Sequence, residues 1–89
     1  MGERHVDAAA VERTITVYGD LLYRIALHHL KTREDAEDVA HDVFVKWLEK
    51  APVFLSDEHE KAWLIRTTIN ACTDFRRRAA RRLTVALDA

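Results

Sequence analysis

The chain has 89 residues and a formal net charge of −1 at pH 7, a length that holds one domain and leaves no room for a second core. Its one cysteine, Cys72, excludes an internal disulfide and fits a reducing compartment. Because no apolar run approaches the roughly 20 residues of a membrane span and the N-terminus lacks a signal-peptide pattern, we predict a cytoplasmic protein.

The small net charge hides a division along the chain. Residues 1–60 carry 7 Lys and Arg against 13 Asp and Glu, a net −6, whereas residues 61–89 carry 7 against 2, a net +5. Such a chain either faces two partners of opposite charge or is a bundle whose charges neutralise each other. Charge alone favours the second interpretation.

The first predicted element is an amphipathic helix over residues 7–30. Asp7 is its candidate N-cap. Gly19 costs about 1 kcal/mol relative to alanine, which leaves a kink or a break open at this position. Apolar residues at steps of three and four predict the buried side: Val11, Ile15, Tyr18, Leu22, Ile25, Ala26 and Leu30.

A second helix follows, with Thr32 as its N-cap and Asp35 at its third position. Acidic residues in this first turn are favourable beside the positive end of the helix dipole. Pro52 ends the helix, because the residue before a proline is disfavoured in the α conformation. The predicted buried side consists of Ala36, Val39, Ala40, Val43, Phe44 and Trp47.

The connecting segment covers residues 51–62 and overlaps the start of a third helix at residues 58–82, which Ser56 or Asp57 caps. Residues 83–89 lose the helical periodicity, which is typical of a linker or a frayed end. With no strand-like alternation, we predict an all-α fold, a small bundle of three or four helices in residues 1–82. The residues predicted to be buried in the third helix are Ala62, Ile65, Ile69, Cys72 and Phe75.

Carboxylates and a histidine are concentrated in the second helix. A metal site would use Asp38 and His41, but it needs inward-facing ligands and a second copy of the motif on another helix. Acid–base catalysis would need a pocket and a nucleophile, and neither is evident. On a helical wheel, the acidic stripe that points away from the core consists of Asp35, Asp38, Asp42 and Glu49.

Two other interpretations of this acidic stripe remain open. A solvated face that complements the helix dipole explains the acids of the first turn. It explains Asp42, Val45 and Glu49 less well, because they lie beyond that turn. A mixed acidic and apolar ridge is typical of docking against a basic helical partner.

A basic stripe lies opposite the buried side of the third helix. Clustered arginines can neutralise phosphates, an asparagine among them can read a base edge, and aromatic residues nearby can hold unstacked bases. The competing interpretation is that arginines near a helix C-terminus favour the dipole and that Trp63 belongs to the core. The stripe contains Arg66, Asn70, Thr73, Arg77 and Arg81, widened by Arg76, Arg78 and Arg82, with Phe54, Leu55 and Trp63 nearby.

Three segments occur in the order YGDLLYRIALHHL, DAEDVAHDVFVKWL and KAWLIRTTINACTDFRRR. The middle segment has a distinctive D-A-E-D-V-x-x-[DE]-x-F pattern, and the third contributes W-L-x-x-x-x-x-N. In order and spacing, residues from about 10 to 82 resemble region 2 of a bacterial sigma factor of the extracytoplasmic-function type, group IV of the sigma-70 family.

This resemblance implies binding of core RNA polymerase, with no catalysis and no cofactor. In the family, the second helix docks on the clamp helices of the largest polymerase subunit. An anti-sigma factor is a further partner that the resemblance suggests. The polymerase-binding role carries onto Asp38, His41 and Asp42, and further onto Asp35, Val45 and Leu48.

The resemblance also implies that the loop and the third helix capture the non-template strand of the promoter −10 element as the duplex melts. Phe54 and its loop neighbours Leu55 and Ser56 correspond to the site of a flipped base, and Trp63 is a further candidate DNA-binding residue. Arg66 and Asn70 correspond to base and backbone contacts, and Arg76 and Arg77 to phosphate contacts. The alternative hypothesis is a helical protein-interaction module that does not bind DNA.

The chain departs from the family pattern in two ways. His41 stands where glutamine is usual, and an imidazole is a shorter group that can become charged near neutral pH. The helix-turn-helix domain called region 4 is absent, and LTVALDA resembles the start of the linker that leads to it. We expect an excised domain of a longer protein, the alternative being a shortened natural one.

Overall fold

The computed structural model describes residues 8–50 and 53–88. In these ranges the chain forms three helices, α1 (Ala8–Leu30), α2 (Arg33–Lys50) and α3 (Asp57–Asp88), and no strand. Each helix packs against the other two. This confirms the predicted all-α fold. The predicted N-cap Asp7 and the predicted helix stop at Pro52 lie outside the described residues.

Helix α1 is continuous through Gly19, so there is neither a break nor a change of helix type at this residue. A Cβ atom at this position would have Ile15 Cγ2 as its one neighbour, at 3.7 Å, an ordinary contact. The α-helical backbone is open to any L-residue, so neither space nor conformation requires glycine here.

The buried side of α1 corrects the prediction, because only two of the seven residues predicted to be buried are so. Thr14, Leu22 and Ala26 are buried, whereas Ile15 is 47% exposed. The side of α1 that faces the core therefore runs through a threonine. Ile15 lies instead at the edge of a pocket between α1 and α2. The other residues predicted to be buried, Val11, Tyr18, Ile25 and Leu30, are half-buried.

The connection between α1 and α2 is two residues long. Lys31 adopts a left-handed conformation with φ 76°, and its N–H donates to the Leu27 carbonyl oxygen at 2.9 Å, which ends α1 in the way usually associated with glycine. Thr32 Oγ1 then accepts a hydrogen bond from the Asp35 N–H at 3.3 Å. The predicted N-cap at Thr32 is thus confirmed.

Helix α2 supplies the largest share of the core. Five of its six predicted core residues are buried, and Phe44 is half-buried. Trp47 Nε1–H donates to Glu60 Oε2 at 3.1 Å, so that the indole nitrogen of this buried side chain keeps a partner. The buried residues of α2 are Ala36, Val39, Ala40, Val43 and Trp47.

Helix α3 corrects the prediction of its buried side. Ala62 is exposed, Ile69 is 40% exposed, and Ile65 and Phe75 are half-buried. Only Cys72 of the predicted set is buried. The buried residues of α3 are Leu64, Thr68, Ala71 and Cys72.

A hydrogen bond explains why Thr68 can be buried at a position where an apolar residue was expected. Thr68 Oγ1 donates to the Leu64 carbonyl oxygen in the preceding turn at 2.8 Å. With its hydroxyl satisfied inside its own helix, Thr68 costs little to bury and packs as a small, nearly apolar side chain.

Both ends of helix α3 differ from the predicted ends at residues 58 and 82. It begins at Asp57, so the described part of the connection is only residues 53–56. Ser56 is the cap, since its Oγ accepts from the His59 N–H at 3.1 Å. At the other end the helix continues to Asp88, six residues past its predicted end at Arg82, and residues 76–88 are all exposed. The division into a domain and a linker remains a prediction.

Candidate functional site

The residues predicted to bind polymerase lie on the outer side of α2, and we call them the acidic ridge. Asp38, His41 and Asp42 are exposed, because the opposite side of this helix is packed in the core. Leu48 is 43% exposed, and Asp35 and Val45 are half-buried. The acidic ridge consists of Asp35, Asp38, His41, Asp42, Val45 and Leu48.

An apolar pocket between α1 and α2 borders this ridge. Its volume is about 240 Å³. Ile15 comes from α1, and Phe44 and Leu48 from α2, while His41 stands among them as the polar member. The pocket accounts for the apolar residues of the ridge, since its lining consists of Val11, Ile15, His41, Phe44, Val45, Trp47 and Leu48.

The described residues contain no group of three or more His, Cys, Asp and Glu side chains placed to hold a metal ion. Asp38 and His41 are both exposed on the outer side of α2. The inward orientation that a metal-binding bundle requires is therefore missing for this pair.

A second, larger groove of about 480 Å³ runs between α2 and α3. Asp42 and Glu49 line its α2 side, and Arg77 and Arg81 line its α3 side. Among the described residues, no ion pair joins the carboxylates and the arginines of this groove. The ion pair that the described residues do form lies on α1, between Arg24 Nε and Asp20 Oδ2 at 2.9 Å. Asp42 and Arg77, predicted for two different partners, therefore share one groove.

The loop before α3 is held against the first turns of that helix. Phe54 is half-buried, and its ring meets the edges of His59 at 5.4 Å and Trp63 at 5.9 Å between centroids. Leu55 is 90% exposed, and its N–H donates to His59 Nδ1 at 3.0 Å. Of the residues predicted to bind DNA in this region, Leu55 and Ser56 are thus exposed, whereas Phe54 and Trp63 pack against the core.

His59 was not among the predicted site residues. The sequence contains a signal for it, because Ser56 and His59 have the N-cap and N3 spacing of a capping box. In that motif a Glu or Gln side chain reaches back to the N-cap N–H. Here the histidine reaches one residue further, to Leu55, which the usual pattern does not predict.

The remaining residues predicted to bind DNA lie along the outer side of α3. Arg66, Asn70, Arg76 and Arg77 are exposed, and in the part of the chain that the structure describes none of them has an ion pair. Guanidinium groups that form no ion pair within the domain can make charge-assisted hydrogen bonds to an external anion.

Two groups, the Tyr18 hydroxyl and the Cys72 thiol, have raised pKa values. The pKa of the Tyr18 hydroxyl lies above its ordinary value because of burial and then the nearby carboxylates of Glu60, Asp57 and Glu58. The pKa of the Cys72 thiol is raised by burial, an effect that Arg76 opposes. Neither group belongs to the acidic ridge or to the outer side of α3.

Comparison with known proteins identifies the family. Residues 14–82 match the sigma-70 region 2 family. Searches among curated proteins and among solved structures found no match. The chain therefore belongs to the sigma-70 region 2 family, whose members act in transcription initiation through binding of RNA polymerase and recognition of the promoter, and are not enzymes. No helix in the described ranges is long and apolar enough to span a membrane.

Proposed function

We propose that this chain is region 2 of a sigma factor of the extracytoplasmic-function type, acting in the cytoplasm. The acidic ridge docks on the clamp helices of the largest polymerase subunit. The loop at residues 54–56, with Trp63 and the outer side of α3, binds the non-template strand of the promoter −10 element. An anti-sigma factor is a further proposed partner.

One observation carries the assignment of two surfaces. Within the described residues, the exposed carboxylates of α2 and the exposed arginines of α3 form no ion pair with each other. Charges that remain unpaired in the free domain are available to partners of opposite sign. Membership of the sigma-70 region 2 family supports polymerase and promoter DNA as those partners.

The docking half of the proposal rests on the mixed character of the ridge. Asp38 and Asp42 supply charge that steers a basic helix toward the surface. The pocket beside them, with Ile15 and Leu48 at its exposed edge, supplies apolar area at the same place. Charge at the rim and an apolar centre are the usual composition of a specific protein interface.

Reversal of the ridge charge tests this half. The double variant Asp38→Arg, Asp42→Arg is expected to lose co-purification with core RNA polymerase, because two attractive contacts become repulsive. The matched control is Glu12→Arg, Asp88→Arg, which makes the same change in net charge at exposed positions on α1 and at the end of α3, outside the ridge. Equal retention of polymerase by both variants, with equal melting temperatures, would refute docking at this ridge.

The DNA-binding half separates base contacts from phosphate contacts. Arg66→Ala and Asn70→Ala are expected to reduce the preference for a −10-like single strand over a scrambled one. Arg76→Ala is expected to weaken the binding of both strands equally. It should also reduce the slope of the logarithm of the binding constant against the logarithm of the salt concentration by about 0.7, the contribution of one phosphate contact on a single strand. Fluorescence anisotropy at several salt concentrations measures both quantities.

The control for these variants is Arg33→Ala, which removes an exposed arginine from the start of α2. It is expected to leave the base preference unchanged. If the unmodified chain shows no base preference, and if Arg66→Ala and Asn70→Ala change nothing, the DNA-binding half is wrong. The chain would then be better described as a protein-interaction module.

A further inference from the structure

His59 contacts the loop before α3 through both its side chain and its backbone N–H. Its Nδ1 accepts the Leu55 N–H at 3.0 Å, and its own N–H donates to Ser56 Oγ at 3.1 Å. Its ring stands edge-on to Phe54, with 5.4 Å between the centroids and an interplanar angle of 89°. Phe54, Leu55 and Ser56 are thus all in contact with the same histidine.

These contacts decide which side chains of the loop face outward. Phe54 is drawn between His59 and Trp63 and packs against the core. Leu55 is held by its backbone alone, so its side chain is left 90% exposed. An apolar side chain on a backbone that is already ordered is suited to contact a base without a large cost in conformational entropy.

We propose that His59 is a positioning residue for the recognition of DNA. By accepting the Leu55 N–H, it holds the loop in the conformation that presents Leu55 to an unstacked base. This inference rests on the proposed function, since it assumes that the loop binds the −10 strand. His59 itself is exposed in the first turn of α3, and in this proposal it acts through Leu55.

Two substitutions of His59 test whether its hydrogen bond to the Leu55 N–H matters, or only the presence of a polar side chain at this position. To accept at Nδ1, the ring must be neutral and carry its proton on Nε2. Asparagine places an amide oxygen where Nδ1 stands, so His59→Asn retains an acceptor for the Leu55 N–H. Glutamine places its amide one bond further out, where it can reach the Ser56 N–H as in a capping box, so His59→Gln leaves the Leu55 N–H without this acceptor. The two variants differ by one methylene group.

The first measurement concerns the free chain. Exchange of the Leu55 amide hydrogen, followed by NMR, reports directly on the bond to His59. We expect exchange to be accelerated roughly fivefold or more in His59→Gln and to remain near the unmodified rate in His59→Asn, as for the loss of one ordinary hydrogen bond. Identical exchange rates in all three proteins would overturn the proposal without reference to DNA.

The second measurement concerns the complex. The ratio of affinities for −10-like and scrambled single strands is expected to fall roughly fivefold in His59→Gln and to be largely retained in His59→Asn. His28→Gln is the control, since His28 is exposed at the end of α1 and contacts the ring of His29. Melting temperatures of all the variants establish that they are folded.

The outcomes distinguish this inference from the proposed function. If the unmodified chain discriminates between the strands and both His59 variants discriminate equally well, the role of His59 is overturned and the proposed function stands. If both variants lose discrimination equally while folded, the acceptor at Nδ1 is not the cause and the inference again fails. If the unmodified chain does not discriminate, the proposed DNA binding fails and this role of His59 fails with it.

Discussion

Cys72 lies in the middle of the core with none of its surface exposed. Burial raises the pKa of its thiol, and Arg76 offsets only part of that rise. The thiolate is the reactive form, so we expect native Cys72 to react with a disulfide reagent only as fast as the chain unfolds. Absorbance of the released thiolate measures the rate, with the guanidinium-denatured chain as reference. A native rate equal to the denatured rate would contradict this prediction.

Tyr18 makes a pH-dependent contribution to stability. Its pKa is raised above the ordinary 10.0 by burial and by nearby carboxylates, Glu60 foremost. The folded chain therefore holds this proton more tightly than the unfolded chain, and the stabilisation is fully present below pH 10 and lost as the pH rises through the raised pKa. Urea unfolding at increasing pH should show this loss in the unmodified chain and a smaller one in Tyr18→Phe. Equal losses in the two proteins would contradict the prediction.

At the scale of single helices, α1 contains a glycine that its structure does not need. Gly19 lies within a regular helix, and an added Cβ would meet Ile15 only at ordinary contact distance. Gly19→Ala should therefore raise the free energy of unfolding by about 0.5–1 kcal/mol, because alanine loses less backbone entropy on folding. Urea denaturation measures the change. A destabilised variant would indicate that this part of α1 departs from a regular helix.

At the scale of the whole molecule, Glu60 connects all three helices. From α3 it accepts the Trp47 Nε1–H of α2 at 3.1 Å, and its charge contributes to the raised pKa of Tyr18 on α1. Glu60→Ala should cost about 1–2 kcal/mol, since it leaves the buried indole N–H without a partner. Glu60→Gln retains an acceptor and should cost less.

The two Glu60 variants separate the hydrogen bond from the charge. Both remove the carboxylate, so both should lower the pKa of Tyr18 toward its ordinary value, as followed by tyrosinate absorbance with Tyr18→Phe as the blank. Urea denaturation should rank the stabilities in the order unmodified, Glu60→Gln, Glu60→Ala. Equal stability of the two variants would exclude the hydrogen bond to Trp47 as the cause.

The buried face of α2 was predictable because its pattern is unambiguous: Ala36, Val39, Val43 and Trp47 follow helical spacing with charged residues between them. That of α3 was not. Thr68 is polar and Ile69 is apolar, so hydropathy assigns them to the wrong sides. Their burial depends on where the first two helices approach α3, and on a hydroxyl that bonds to its own helix.

Local chemistry in the sequence by itself determined that the chain is an α-helical bundle, that Thr32 begins α2, and that the ridge of Asp38, His41 and Asp42 faces outward. These follow from periodicity and capping, which act over a few residues. The tertiary structure alone decided that Asp42 and Arg77 line one groove and that His59 contacts the loop at residues 54–56. The groove depends on how α2 and α3 pack, and the contacts of His59 depend on the conformation of the turn before α3. Contacts between separate elements produce no periodic pattern in the sequence, so the sequence does not predict them.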